Sequence, residues 1–451
     1  MIRDELNRIL ASAEKEFEEV SDAVWEYAET CFQETKSSRL QADFMEKKGF
    51  DVERGVCGMP TAFTAQWGTG KPVIAILGEN DALAALSQKE DATQLDPIVA
   101  GEPGHGCGHN LLGTSGMEAA CAIKEYLANN NMSGTIRYYG CPAEEGGGGK
   151  VFMVLDHRFD DVDATITWHP SSGWEITNHG LAILSAYFRF EGKAAHAAMA
   201  DQGRSALDAL ELMNIGINFL REHVKTGTLM HYSITNTGGN AANIVQQEAE
   251  GFYILRNRDQ NYLSEVYERV VDIAKGAALM TGTKFKGAQI ISNYANILPN
   301  DVLNGIVLEN MNAVLPLDYT EEELEYGKKF VAVGTKPNAE KPFSNEYSNG
   351  GGMICSDVCD VSWVTPLVNF FGTTLAEGTI GHNWGTVAQG KSKSAKRGMH
   401  AAAKIMANSA LDLFENPDLL AKAKAEFDEK IKKNPPYSTL MVNCKPTDYR
   451  Q

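Results

Sequence analysis

Four short stretches of this sequence set metal-ligating or acid–base side chains beside residues that let the chain turn tightly. The first is Gly104-His105-Gly106-Cys107-Gly108-His109-Asn110. Thiolate and imidazole are preferred ligands of zinc and similar ions. The glycines allow side chains two residues apart, Cys107 and His109, to meet one ion. The same pattern also suits a strand-to-helix turn with a buried cysteine. The second stretch is Cys141-Pro142-Ala143-Glu144-Glu145, followed by four glycines. Two adjacent carboxylates after an apolar strand are costly to bury unless a cation or a proton compensates. One of them can hold a metal while its neighbour takes a proton from water, as metal-assisted hydrolysis requires. A solvated acidic turn is the alternative; a phosphate loop is disfavoured, because no Gly-Lys-Ser/Thr follows. The third stretch, Thr165-Ile166-Thr167-Trp168-His169-Pro170, ends an apolar run in a histidine, and the fourth is Gly381-His382-Asn383-Trp384. A lone histidine is more often a hydrogen-bonded structural residue than a ligand. Four such sites at successive strand ends are explained together by one metal centre.

The elements that must carry these residues follow from periodicity. Apolar positions at helical spacing predict a helix over the first 30 residues, and a second runs from Ser37 to Gly49. Strands are expected at 61–66 and at 73–77, the latter without polar alternation and so buried on both faces. A helix over 109–128, a strand at 136–140, a helical turn at 151–155 and a strand at 164–168 continue the alternation. Strands alternating with helices imply a mostly parallel sheet with helices on both faces. Between about 182 and 296 the order becomes β-α-β-β-α-β, the ferredoxin-like unit. Its strands are read at 184–190, 229–236, 247–256 and 284–293, and its helices at 205–224 and 262–280. Beyond 300 we expect helices at 301–313, 391–413 and 416–433, strand-like runs at 330–334 and 361–371, and a polar loop over 335–352. The domains are therefore 1–182, 183–296 and 297–451, the middle segment interrupting the other two.

Composition narrows the class. The chain has 451 residues, 43% hydrophobic and 22% charged, as ordinary globular proteins do. Its 41 basic and 59 acidic residues leave a net charge of −18, which repels phosphate backbones and argues against a nucleic-acid partner. The longest apolar runs fall well short of the roughly 18 residues a membrane helix needs. The N-terminus lacks the basic start and apolar core of a signal peptide, so a cytoplasmic setting is expected. The eight cysteines are scattered and do not form a disulfide framework.

Together the motifs resemble the amidohydrolase branch of the aminoacylase/carboxypeptidase superfamily of two-metal metallopeptidases, and within it the group of p-aminobenzoyl-glutamate hydrolase B-type subunits. The likeness spans nearly the whole chain. It rests on the runs at 106–110, 142–145 and 168–170, with Gly-Lys-Ala-Ala-His-Ala-Ala at 192–198, Gly-Arg-Ser-Ala-Leu-Asp-Ala at 203–209, Asp-Val-Ser-Trp-Val-Thr-Pro at 360–366 and Gly-His-Asn-Trp at 381–384. The resemblance implies that the middle segment is a lid that also dimerises. It implies two divalent ions bridged by the Cys107 thiolate, with His109 and His169 completing one and Glu145 and His382 the other. Glu144 would be the general base. Asp81 would sit behind the metal histidines and fix a tautomer, though a helix cap serves it equally well. From the lid, His196 would reach the substrate carbonyl, often in the neighbouring subunit, and Asn243 and Arg256 would contact substrate, with Arg258 competing for the arginine's role. Softness favours zinc; the resemblance also admits manganese.

The implied activity is hydrolysis of N-acyl or N-aroyl amino acids, with a dipeptidase of the same fold or a non-catalytic regulatory subunit as alternatives. The implied assembly is a homodimer through the lid, or a heteromer with a paralogue. Four positions depart from the family pattern. Asn110 stands where aspartate is common. Cys355 and Cys359 replace small residues and read as buried thiols or, less simply, as a further metal or redox site. Ala200 lies where many relatives carry proline.

Overall fold

A computed structural model describes residues 3–448. Two compact units divide them: the larger runs to His179 and resumes over Ile297–Tyr437, and the smaller holds Gly180–Asn296 and the residues from Ser438 on. The strands before the smaller unit are β1 (Asp51–Arg54), β2 (Phe63–Thr69), β3 (Val73–Glu79), β4 (Gly134–Cys141), β5 (Ala164–Ser171) and β6 (Trp174–Gly180). Those of the smaller unit are β7 (Ala182–Glu191), β8 (Leu229–Asn236), β9 (Glu248–Asn257) and β10 (Lys284–Tyr294); β11 (Tyr347–Ile354) and β12 (Leu367–Thr373) return to the larger. Helices α1 (Asp4–Tyr27), α2 (Thr35–Lys47), α3 (His109–Asn129) and α4 (Gly149–Leu155) come first, and α5 (Ala206–Leu220) and α6 (Gln260–Thr281) lie in the smaller unit. They are followed by α7 (Asp301–Val314), α8 (Glu321–Val333), α9 (Val358–Val361), α10 (Trp384–Gln389), α11 (Lys393–Glu415) and α12 (Pro417–Lys433).

The larger unit is an α/β layer structure on an eight-stranded sheet of order β1-β2-β4-β3-β5-β12-β6-β11. Its centre, β4-β3-β5-β12, is parallel, and antiparallel partners extend it on the β2 and β6 sides. Every residue of β3 is buried. Ile74 and Ile76 join the core formed with Leu111, Ile123 and Met399, while the alternating Ala75 and Leu77 are covered on the other face. The parallel register matters most for function. Glu79 lies opposite Cys141, and His169 opposite Phe371, so the carboxyl ends of β3, β4 and β5 open at one edge. Ligands gather at that edge in open α/β sheets.

The smaller unit shows the expected β-α-β-β-α-β order with an antiparallel sheet, β10-β7-β9-β8. Strand β9 and the second half of β7 alternate buried and half-exposed residues, and one face packs on α5 and α6 through Leu184, Phe188, Tyr253, Leu210 and Val266.

Several expectations fail locally. The run 330–334 is the end of α8, which a Thr320–Glu323 capping box starts well upstream. Within 361–371 a helical turn ends at Val361 and the strand begins only at Leu367. The segment 335–352 is not all loop, because β11 begins at Tyr347, and β1 and β6 are strands that periodicity does not mark. The tail from Ser438 belongs by sequence to the expected domain 297–451 but packs in the smaller unit. There Leu440 joins the core, its N–H donates to Asn293 Oδ1 at 2.8 Å, and the Thr439 hydroxyl donates to the Asn293 carbonyl at 3.1 Å. No helix among the described residues is long and apolar enough to cross a membrane.

Candidate metal centre

The sheet edge collects its functional side chains from five places. β3 ends in Glu79 and leads to Asp81; the glycine-rich loop carries Cys107 into α3; β4 leads to Glu144 and Glu145; β5 carries His169; and the loop before α10 carries His382. Gly108 precedes α3 with φ of +78°, and a Cβ there would stand 3.0 Å from Pro170 Cβ, so only glycine lets the loop lie this close to β5. Ala143 and His382 hold positive φ, of 60° and 54°, without being glycine. Such strain persists where surrounding contacts enforce it. The Ala143 N–H donates to buried Glu34 at 2.9 Å, and the His382 N–H donates to the Gly106 carbonyl at 2.9 Å.

These loops bring together residues far apart in sequence. The donor atoms of Cys107, His109 and His169 lie within 4.8 Å of one another, as do those of Cys107, Glu145 and His382, so the Cys107 sulfur belongs to both groups. Cys107 Sγ lies 3.3 Å from His169 Nε2, and His382 Nε2 lies 3.4 Å from Glu145 Oε2. Acceptors fix the tautomers of two histidines. His109 Nδ1 faces Asp81 Oδ1 at 2.9 Å and His169 Nδ1 faces the Pro170 carbonyl at 2.8 Å. Both partners can only accept, so each Nδ1 carries a proton, and in the neutral ring each Nε2 keeps a lone pair for a ligand. Asp81 is also no mere helix cap, because its Oδ2 accepts the Glu145 N–H at 2.9 Å and so ties the two donor groups to each other. Glu144 stands beside them, with Oε2 3.9 Å from His109 Nε2.

Sequence reasoning missed the surrounding charges. Glu79 Oε2 lies 3.2 Å from His109 Nε2, and its Oε1 pairs with the buried Lys150 ammonium at 2.7 Å. Lys150 also pairs with buried Asp357 at 2.6 Å. A charged residue ending an apolar strand and a lone lysine opening an apolar helix were the available signals. Burial, together with Glu145, pushes the Cys107 thiol well above its ordinary value. Burial, then Glu79 and Glu145, does the same to the Glu144 carboxyl. Burial raises Glu145 to about 7 and lowers His169 to about 4. Acidic groups crowded into a dry pocket suffer this unless a cation balances them. His109 Nε2, Glu145 Oε1 and Glu79 Oε2 are buried with no hydrogen-bond partner among the described residues. Sulfur, imidazole and carboxylate donors with such orphaned atoms fit a divalent cation.

The remaining expected residues are not members of these donor groups. His196, Asn243 and Arg256 belong to the smaller unit. His196 and Asn243 are exposed and adjacent, with the Ala197 N–H donating to the Asn243 carbonyl at 2.9 Å. Arg256 is half-buried on β9 and Arg258 is exposed just beyond it. Asn110 is structural, its amide donating to Ser21 and to the Gly390 carbonyl, each at 3.1 Å. Cys355 and Cys359 form no disulfide, the latter is buried, and neither joins a metal-ligating group among the described residues.

No family model matches the chain. It is 39% identical over 461 residues to the B-type subunit of p-aminobenzoyl-glutamate hydrolase of Escherichia coli (strain K12), covering 96% of each chain. It is 28% identical to Xaa-Arg dipeptidase of Mus musculus, over 91% of this chain and 89% of that one. Among solved structures it resembles a dinuclear metal-binding peptidase of the M20 family from Bacillus subtilis, with a TM-score of 0.59 and 16% identity over 90% of this chain and 99% of that one. With these likenesses and this cluster of donors, the chain belongs to the family of p-aminobenzoyl-glutamate hydrolase B-type subunits, which are metal-dependent amidohydrolases, and has the M20 peptidase fold.

Proposed function

We propose that the protein cleaves the amide bond of N-acyl or N-aroyl amino acids of the p-aminobenzoyl-glutamate kind, using two divalent ions, zinc or manganese. The observation that carries this reading is the Cys107 sulfur shared by two donor groups beside Glu144. Cys107, His109 and His169 would hold one ion and Cys107, Glu145 and His382 the other. When bound, the ions supply an acidified water and polarise the substrate carbonyl. Glu144 accepts the proton of that water and returns it to the leaving amine. Asp81 keeps the His109 proton on Nδ1, so that Nε2 stays a ligand. His196 donates to the developing oxyanion, from the neighbouring subunit of a homodimer formed by the smaller unit. Arg256 receives the substrate carboxylate in a two-pronged fork, with Asn243 beside it. That all eight cysteines are thiols suits a cytoplasmic setting.

The likeness to Xaa-Arg dipeptidase favours a second reading, hydrolysis of dipeptides. The subunit designation of the Escherichia coli relative leaves room for a partner paralogue, with this chain as its regulatory subunit. One experiment separates these readings. The purified protein, stripped and then reloaded with zinc or manganese, is assayed against N-acyl amino acids and free dipeptides. Turnover of the acyl amino acids supports the proposal, and turnover of dipeptides alone supports the second reading. Metal uptake without turnover of either class assigns the chain a non-catalytic role.

A further inference from the structure

Three groups of donor atoms converge at the sheet edge, and the third, of Glu79, His109 and Glu144, contains one residue with no part in the scheme above, Glu79. His109 has one nitrogen to give, because Asp81 occupies Nδ1. Its Nε2 is shared by two donor groups, one with Cys107 and His169 and one with the carboxylates of Glu79 and Glu144. Glu79 Oε2 is the nearer, at 3.2 Å against 3.9 Å for Glu144 Oε2. Both Glu79 Oε2 and His109 Nε2 are buried, yet they are not aligned as a hydrogen bond, and neither has another hydrogen-bond partner among the described residues. Two atoms bound to one cation at about 2.0–2.2 Å, at angles between octahedral and tetrahedral, stand about 2.9–3.6 Å apart. The observed spacing lies inside that range. The other oxygen of Glu79 is clamped. Lys150 Nζ lies 2.7 Å from it, and Asp357 holds Lys150 through the ammonium at 2.6 Å and the backbone N–H at 2.8 Å. A carboxylate pinned by one oxygen and orphaned at the other is preorganised to coordinate.

From this geometry we infer that Glu79 is a direct oxygen ligand of the cation held by Cys107, His109 and His169. Lys150 and Asp357 position it and offset its charge. The ligand set becomes sulfur, two imidazoles and a carboxylate, and Glu144 is left to move a proton. The inference rests on the metal-centre reading above, and the test separates the two. Cobalt(II) alone is titrated into stripped wild type, Glu79→Gln, Glu79→Asp and Asp357→Asn. Affinity is read by competition with a chromophoric chelator and coordination by the visible ligand-field bands. Glu79→Gln and Glu79→Asp should each lose at least about tenfold at one site and change the bands. Glu79→Asp keeps a charge for Lys150, and Asp357→Asn disturbs the clamp without removing a ligand, so its bands should match wild type. Wild-type bands and affinity in either folded Glu79 variant, or equal band changes in Asp357→Asn, overturn the inference. Failure of wild type to take up cobalt overturns the metal-centre reading as well. Should the Glu79 variants not fold, anomalous scattering from cobalt-loaded wild-type crystals decides. Cobalt within about 2.5 Å of Glu79 Oε2 supports the assignment, and cobalt beyond about 3 Å refutes it.

Discussion

Replacing Asp81 with asparagine removes a single charge and almost no volume, yet it should weaken the site that Asp81 never enters. The carboxylate is fully buried and accepts from two directions, His109 Nδ1–H at 2.9 Å on Oδ1 and the Glu145 N–H at 2.9 Å on Oδ2. Burial works against its charge, but the bonds from His109 and Glu145 prevail and hold its carboxyl below the usual range. An asparagine can satisfy only one of these donors. If its amide nitrogen turns toward Glu145, two N–H groups face each other and a buried hydrogen bond is lost, which costs about 1–3 kcal/mol. If it turns toward His109, Nδ1 must become the acceptor and the proton moves to Nε2, the atom needed for the cation. Either route falls on the metal-loaded state. Loss of such an outer partner typically lowers metal affinity by about 10–100-fold, or about 1.4–2.7 kcal/mol. The assay is competition for zinc against a chromophoric chelator at neutral pH, with circular dichroism confirming that the variant is folded. A folded Asp81→Asn protein that binds zinc within about threefold of wild type and turns over normally would refute the claim that Asp81 sets the tautomer.

Glu144→Ala should keep its metal and lose turnover by roughly 10² to 10⁴; near-normal hydrolysis would remove Glu144 from the role of base. Lys150→Met strands the Glu79 and Asp357 carboxylates, which sit 2.7 and 2.6 Å from a fully buried ammonium. Breaking such a buried pair costs about 3–5 kcal/mol, measurable by urea unfolding, and a loss below about 1 kcal/mol would contradict the ionic account. In His400 burial opposes the charged ring, but Glu118 at 2.8 Å and Glu18 outweigh it and lift the pKa from 6.5 to about 10. A pKa raised on folding adds stability that is complete below the unfolded value and fades as pH rises through the folded one. The gap in urea midpoint between wild type and His400→Gln should therefore be widest near pH 6 and shrink toward pH 10. A gap constant over that range would show that the Glu118 pair does not hold the charge.

What could be read from sequence was what short-range chemistry dictates. Cys107, His109, Glu144, Glu145, His169 and His382 stood out because each interrupts or ends a regular element with a side chain that has little reason to be there otherwise. The parallel alternation of β3, β4 and β5 then says that these ends share an edge. The smaller unit was legible for a similar reason, since the period-two burial of β9 and of the second half of β7 and the helical stripes of α5 and α6 are local patterns. Edge strands gave no such signal. β11 is rich in glycine and supplies no alternation, and at the end of α8 a five-residue apolar window could not distinguish a strand from the last turn of a helix.

The ion network behind the metal donors failed to register for a different reason. Lys150 and Asp357 are 207 residues apart, and neither is unusual until the other is known to be buried beside it. A pattern scan sees a lysine after four glycines, but energetics gives the sharper reading. Lysine is almost never fully buried unless paired, and Lys150 opens a helix whose next residues, Val151, Phe152 and Met153, are all buried. A lysine so placed demands acidic partners. The carboxylate ending β3 is the nearest in fold order, because β3 and β4 are parallel neighbours and α4 follows β4. The partner of Lys150 was thus deducible from topology and charge together, and that same partner, Glu79, is the residue whose Oε2 stands 3.2 Å from His109 Nε2.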